Sequence, residues 1–105
     1  MKRMTVEDLH ALQTSGRPFV LLDVRESSEL TMAALPGSVH IPMRSVPARI
    51  AELDPGAEIA VMCHHGGRSE QVAHFLHARG FANVHNVEGG IDAYALRVDP
   101  KIPRY

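Results

Sequence analysis

The sequence predicts an α/β fold, a mostly parallel sheet with helices on both faces. Two observations carry this. Short apolar runs alternate with amphipathic segments along the whole chain, the pattern of strands joined by crossover helices. The run Phe19 to Val24 is interrupted only by Asp23, which suits a strand buried on both sides. A length of 105 residues suffices for one domain, residues 1–105, with its own core.

The elements follow in order. Thr5, with Glu7 and Asp8 behind it, opens a helix whose apolar face is Leu9 and Leu12 and whose stop is Gly16. Phe19 to Val24 is the first strand. Ser27-Ser28-Glu29 caps a short helix through Ala34, closed by Pro36-Gly37. Val39 to Ile41 is a second strand, ended by Pro42. Pro47 suits the first turn of a helix reaching Leu53, and Asp54-Pro55-Gly56 is a turn. Glu58 to Met62 is a strand that delivers Cys63. Ser69 caps a helix with Val72, Phe75 and Leu76 inward and Gly80 as its stop. Val84 to Val87 is a strand, and Gly89-Gly90 turns into a helix over Ile91 to Leu96. The proline-broken stretch Asp99 to Tyr105 is expected to wrap the surface.

Composition narrows the function. The formal net charge of −1 and the absence of a basic run argue against a nucleic-acid binder. One cysteine excludes a disulfide framework and a Cys-x-x-Cys pair. Met1 to Asp8 turns acidic without an apolar stretch, unlike a signal peptide, and runs such as Phe19-Val20-Leu21-Leu22 are too short to span a bilayer. A lone thiol persists most simply in the reducing cytoplasm, the expected location. The seven histidines form no zinc-binding pattern. No metal or organic cofactor is expected.

The chemistry is expected in Cys63-His64-His65-Gly66-Gly67-Arg68-Ser69. A cysteine at a strand end, on a glycine-containing turn into a helix N-terminus, meets converging backbone N–H groups and the positive end of a helix dipole. Both favour the thiolate, which is the nucleophile. Gly66 and Gly67 admit the positive φ of a tight turn. Arg68, and His64 or His65 when protonated, add positive charge near a bound anion. Ser69 has a hydroxyl for the helix N-terminus. Arg44, after the second strand, is a further candidate for an anionic substrate. His40 and His85 are expected to be satisfied by backbone hydrogen bonds, and His74 and His77 to be solvated.

Several stretches together resemble single-domain rhodaneses, a sulfurtransferase family. They are Leu21-Leu22-Asp23-Val24-Arg25-Glu26, Leu35-Pro36-Gly37-Ser38-Val39-His40-Ile41-Pro42, the Cys63 to Ser69 loop, Gly80-Phe81, and Val87-Glu88-Gly89-Gly90-Ile91-Asp92-Ala93. The resemblance implies a five-stranded, mainly parallel sheet flanked by helices. It implies that Cys63 carries a transferred sulfur as a persulfide, held by the amides from His64 to Ser69. It places Asp23 and Arg25 at the base of the site as a structural ion pair. It implies a small sulfane donor such as thiosulfate, a thiol or cyanide acceptor, and room for a protein donor or acceptor. Val98 to Tyr105 also resembles the ends of rhodanese domains fused to ubiquitin-like activating enzymes. Tyr94 stands where the family commonly has tryptophan.

Two other readings remain. A carrier or accessory role would pass sulfur between proteins with little turnover on small molecules. Cysteine-dependent phosphatases of the same fold use a loop with one more residue between Cys and Arg than the four found here. A tighter ring suits sulfur better than tetrahedral phosphate.

Overall fold

A computed structural model describes residues 1–105. Five parallel strands form one sheet in the order β1-β5-β4-β2-β3, with β1 Lys2–Met4, β2 Val20–Asp23, β3 Val39–His40, β4 Ile59–Met62 and β5 Val84–Val87. The helices are α1 Val6–Thr14, α2 Ser27–Leu30, α3 Val46–Arg49, α4 Gly67–Ala78 and α5 Gly90–Arg97.

Side-chain alternation along the strands divides the core between two faces. Leu22, Ile59, Val61 and Cys63 pack with Val72 and Leu76 of α4 and Val46 of α3. Leu21, Ala60 and Met62 pack with Leu9 and Leu12 of α1 and Ile91 and Tyr94 of α5. All four residues of the central strand β4 are buried. The same alternation therefore sends the Cys63 side chain toward α4. Each fully buried aliphatic side chain contributes roughly 1.5–3 kcal/mol, so the strand that positions the cysteine is anchored along its whole length. Tyr94 fills the aromatic core position and donates its hydroxyl to Gln13 Oε1 at 2.8 Å.

Several expectations hold closely. Thr5 and Asp8 form a reciprocal capping box on α1 at 3.1 and 3.0 Å. Gly80 ends α4 at φ +92°. Others shift. The strand β1 escapes the apolar-run criterion because two of its three residues are charged, as suits an edge strand. The helix α2 stops at Leu30 rather than Ala34: Arg25 takes the Glu29 and Ala33 carbonyls at 3.4 and 2.9 Å and holds the chain in a turn. The segment expected as one helix from Pro47 to Leu53 is α3 between two short 3-10 turns.

The expected Asp23–Arg25 pair forms at the carboxyl end of β2. Arg25 Nη2 lies 2.7 Å from Asp23 Oδ2, and both side chains are wholly buried. Burial alone would lower the Arg25 pKa, but hydrogen bonds with Asp23 and Tyr105 outweigh it and hold the guanidinium charged. Removing one partner strands the other charge in the core. Asp23→Ala is expected to cost about 3–5 kcal/mol, measured as a lowered midpoint in chemical denaturation at unchanged slope.

Candidate active site

Cys63 leaves the end of β4 and begins the turn into α4. The residue is 1% exposed. The Gly66 N–H donates to Sγ at 3.1 Å, and the thiol donates to Ser69 Oγ at 3.4 Å. Gly66 is the N-cap of α4 at φ +111°, and a Cβ there would sit 3.2 Å from the Gly89 nitrogen. Glycine is thus needed both for the left-handed turn and for the close approach. Gly67 departs from expectation: it is the first residue of α4, has an ordinary φ and is exposed. Ser69 is no cap either. The helix starts three residues earlier than expected, so the Ser69 hydroxyl faces inward.

The loop is held from outside by α5. Ile91 N–H donates to the Cys63 carbonyl at 2.9 Å, and Asp92 N–H to the His64 carbonyl at 3.1 Å. Trans peptide geometry turns the His64 and His65 N–H groups to the opposite side. The unpaired amides of one helix start thus orient the peptides that lead into another. Gly90 makes this docking possible, since a Cβ there would lie 2.4 Å from both the Cys63 and His64 oxygens.

The far end of the loop is tied by Arg68, whose fork meets Glu29 at 2.7 and 2.9 Å. Tyr105 OH donates to Glu29 Oε1 at 2.9 Å, and the Glu26 N–H donates to Oε2 at 2.9 Å. Led by Arg68, these donors outweigh the cost of burial and lower the Glu29 pKa from 4.5 to about 2. The Arg68 pKa is raised for the same reason. Its charge is therefore already countered by a carboxylate, where the sequence suggested a free cation.

The proline-broken tail folds back over the loop. The Tyr105 ring stacks on His64 at 4.0 Å and 9°, and the two loop histidines stack at 3.9 Å. Burial lowers the His64 pKa and favours the neutral ring, so His64 is not the added cation that the sequence suggested. Its Nε2 is buried without a hydrogen-bond partner. His65 is exposed, 3.9 Å from Asp92. Arg25 donates to Tyr105 OH at 2.9 Å and so joins the base of the site to the tail.

Three contributors went unassigned in the sequence. Glu29 reads there as a capping residue and Tyr105 as part of a tail. Asn86, buried within β5, carries no local signal for its contact with the loop. Arg44 is exposed in a groove beside Phe75 and lines no surface with the loop. His40 binds the Arg25 carbonyl at 2.7 Å as expected, whereas His85 meets the side chains of Asn83 and Glu58. His77 lies 3.1 Å from the Met1 amine, and His74 lies 3.8 Å from Glu70. No helix is long and apolar enough to cross a membrane.

A family profile described as Rhodanese-like domain matches residues 5–97. The chain is 42% identical over 113 residues to "Rhodanese-like/PpiC domain-containing protein 12, chloroplastic" of Arabidopsis thaliana, covering 100% of this chain and 38% of that protein. It is 34% identical over 93 residues to the "Thiosulfate sulfurtransferase GlpE" of Pseudomonas savastanoi pv. phaseolicola, covering 89% of this chain and 86% of that protein. The crystal structure of a rhodanese-like domain protein from Staphylococcus aureus superimposes with a TM-score of 0.86 at 28% identity, covering 100% of this chain and 99% of that one.

Two outcomes are expected of this geometry. Gly90→Ala should destabilise the protein by about 2 kcal/mol or more, and amide exchange should show the Cys63–Gly66 turn opening before the rest. The lowered Glu29 pKa contributes stability that is present above 4.5 and lost as pH falls through about 2. Glu29→Gln should therefore flatten the loss of stability across that acidic window, as followed by denaturation at a series of pH values.

Proposed function

This chain belongs to the rhodanese-like family of sulfurtransferases, and from that premise we propose that it moves a sulfane sulfur through a persulfide on Cys63. The observation that carries the reading is the Gly66 N–H directed at Cys63 Sγ from 3.1 Å at the start of α4. A backbone donor and the positive end of a twelve-residue helix stabilise negative charge on sulfur.

The course has two steps. The Cys63 thiolate attacks the outer sulfur of a donor such as thiosulfate, a new S–S bond forms, the donor's S–S bond breaks, and sulfite leaves with the electron pair. An acceptor thiolate or cyanide then attacks the outer sulfur of the Cys63 persulfide, and the Cys63 thiolate departs. In the free enzyme the charge rests on Cys63 Sγ beside the Gly66 amide, and in the persulfide it moves to the outer sulfur. His64, His65, Gly67 and Ser69 complete the loop around it. Arg68 fixes the far end of that loop through Glu29, and Asp23 and Arg25 hold the floor. Such a thiol works in a reducing compartment, and we assign the protein to the cytoplasm on that ground.

One observation favours delivery from protein to protein over turnover on a small dianion. Arg68 is matched by Glu29 and Arg25 by Asp23, so little free positive charge draws thiosulfate in. The occupied Arg68 fork also argues against a phosphatase, which needs that fork for phosphate oxygens.

Intact mass spectrometry tests the proposal. The protein should gain one sulfur with thiosulfate or a persulfide donor and lose it with cyanide, while Cys63→Ser should stay folded and gain none. Failure of every donor to load Cys63, or loading of the serine variant, would overturn it.

A further inference from the structure

The polar groups nearest the Cys63 sulfur are themselves governed by one residue of β5. Asn86 is 3% exposed. Its Nδ2 donates to the Gly66 carbonyl at 3.2 Å, and its Oδ1 accepts from the Ser69 hydroxyl at 2.5 Å. The orientation of this amide is fixed by chemistry. The Gly66 carbonyl can only accept, so the nitrogen must face it, and the oxygen is left for Ser69. The Ser69 hydroxyl has one hydrogen and two oxygen acceptors in reach, Asn86 Oδ1 at 2.5 Å and the Gly66 carbonyl at 3.2 Å, and the shorter contact takes it. With that hydrogen on Asn86, Ser69 turns a lone pair to the sulfur and accepts the Cys63 thiol at 3.4 Å.

We infer that Asn86 is a positioning residue that sets the ionisation of Cys63 by competing with its sulfur for the Ser69 hydrogen. When Cys63 carries a thiol, Ser69 donates to Asn86 and accepts from sulfur. When Cys63 carries a thiolate, there is no S–H to accept. The hydroxyl then rotates and donates to the charged sulfur, leaving Asn86 Oδ1 without that bond. Ionisation thus costs one buried hydrogen bond and gains a charge-assisted one. The other hold of Asn86, on the Gly66 carbonyl, keeps the neighbouring amide in place through both states. The significance for sulfur transfer rests on the function proposed above, but the ionisation itself does not.

Other charges face this centre. Arg68 with Glu29, His64 and His65 with Asp92, and Tyr105 with Arg25 and Asp23 surround the loop. On the β5 side, Arg3, Glu70 and Glu88 line the cleft beside Asn86. The variants that test the inference leave all of them unchanged.

The measurement is the rate of Cys63 alkylation by iodoacetamide, a neutral reagent, across a pH series. It contains no sulfur donor, so it stands apart from the mass-spectrometric test of transfer. Asn86→Ala removes the nearer acceptor of the Ser69 hydrogen, leaving only the Gly66 carbonyl at 3.2 Å, and should lower the pH midpoint by up to about one unit. In a Ser69→Ala background the same substitution should lose that downward shift, and any change left by releasing the Gly66 carbonyl should be upward. An equal shift in both backgrounds, or none in either, would overturn the inference. Ser69→Ala alone decides the matter should the buried Asn86 variant fail to fold. Loss of a hydrogen that moves to the charged sulfur raises the midpoint. A fall or no change would mean that the hydroxyl serves only the thiol or only Asn86, and the inference would fail.

Discussion

The site depends on the docking of one helix start against another. The first amides of α5 grip the Cys63 and His64 carbonyls, and that grip decides which way the peptides of the turn face. A tight turn left to itself would satisfy its carbonyls with water and sample several conformations. Held from α5 at its first two carbonyls, it brings the Gly66 N–H to the sulfur that strand alternation has already placed toward α4. The absence of a side chain at Gly90 is the condition for this contact.

Around that contact the protein places charge in matched pairs. Asp23 and Arg25 share the floor, fully dehydrated, and Arg68 and Glu29 share the rim. Tyr105 links the two through its hydroxyl. Buried ion pairs add little net stability compared with apolar packing, but each fixes geometry firmly, because a lone buried charge is so costly. The outcome is a loop tied at both ends, with its nearest charges paired. Its one strong electrostatic bias is local, from the Gly66 amide and the α4 dipole acting on a single atom. Under the proposed function, such a site would discriminate by shape and by charge on sulfur rather than by attracting anions from a distance.

Much of this was legible in the sequence, and the limits have physical causes. Strands β2, β4 and β5 and helices α1, α4 and α5 announced themselves through apolar periodicity, caps and glycine stops. The edge strand β1 did not, since an edge needs charge more than it needs an apolar pattern. The Cys63 loop stood out because local order and spacing carry it, and the Asp23–Arg25 pair was expected from the family resemblance. Glu29, Tyr105 and Asn86 were not, because each reaches the site across a long sequence separation, 39 residues from Glu29 to Arg68 and 20 from Gly66 to Asn86. Ser69 was given the wrong partner, since a helix that begins three residues earlier turns the same hydroxyl from a cap into a core contact.

The central claim is that α5 holds the turn so that the Gly66 amide bears on the charge of the Cys63 sulfur. Amide NMR of the protein labelled with nitrogen-15, followed as Cys63 ionises, reads that contact directly. The account predicts that the Gly66 proton moves furthest downfield among the loop amides, in step with the thiol titration. A Gly66 resonance that stays fixed through the titration would contradict it.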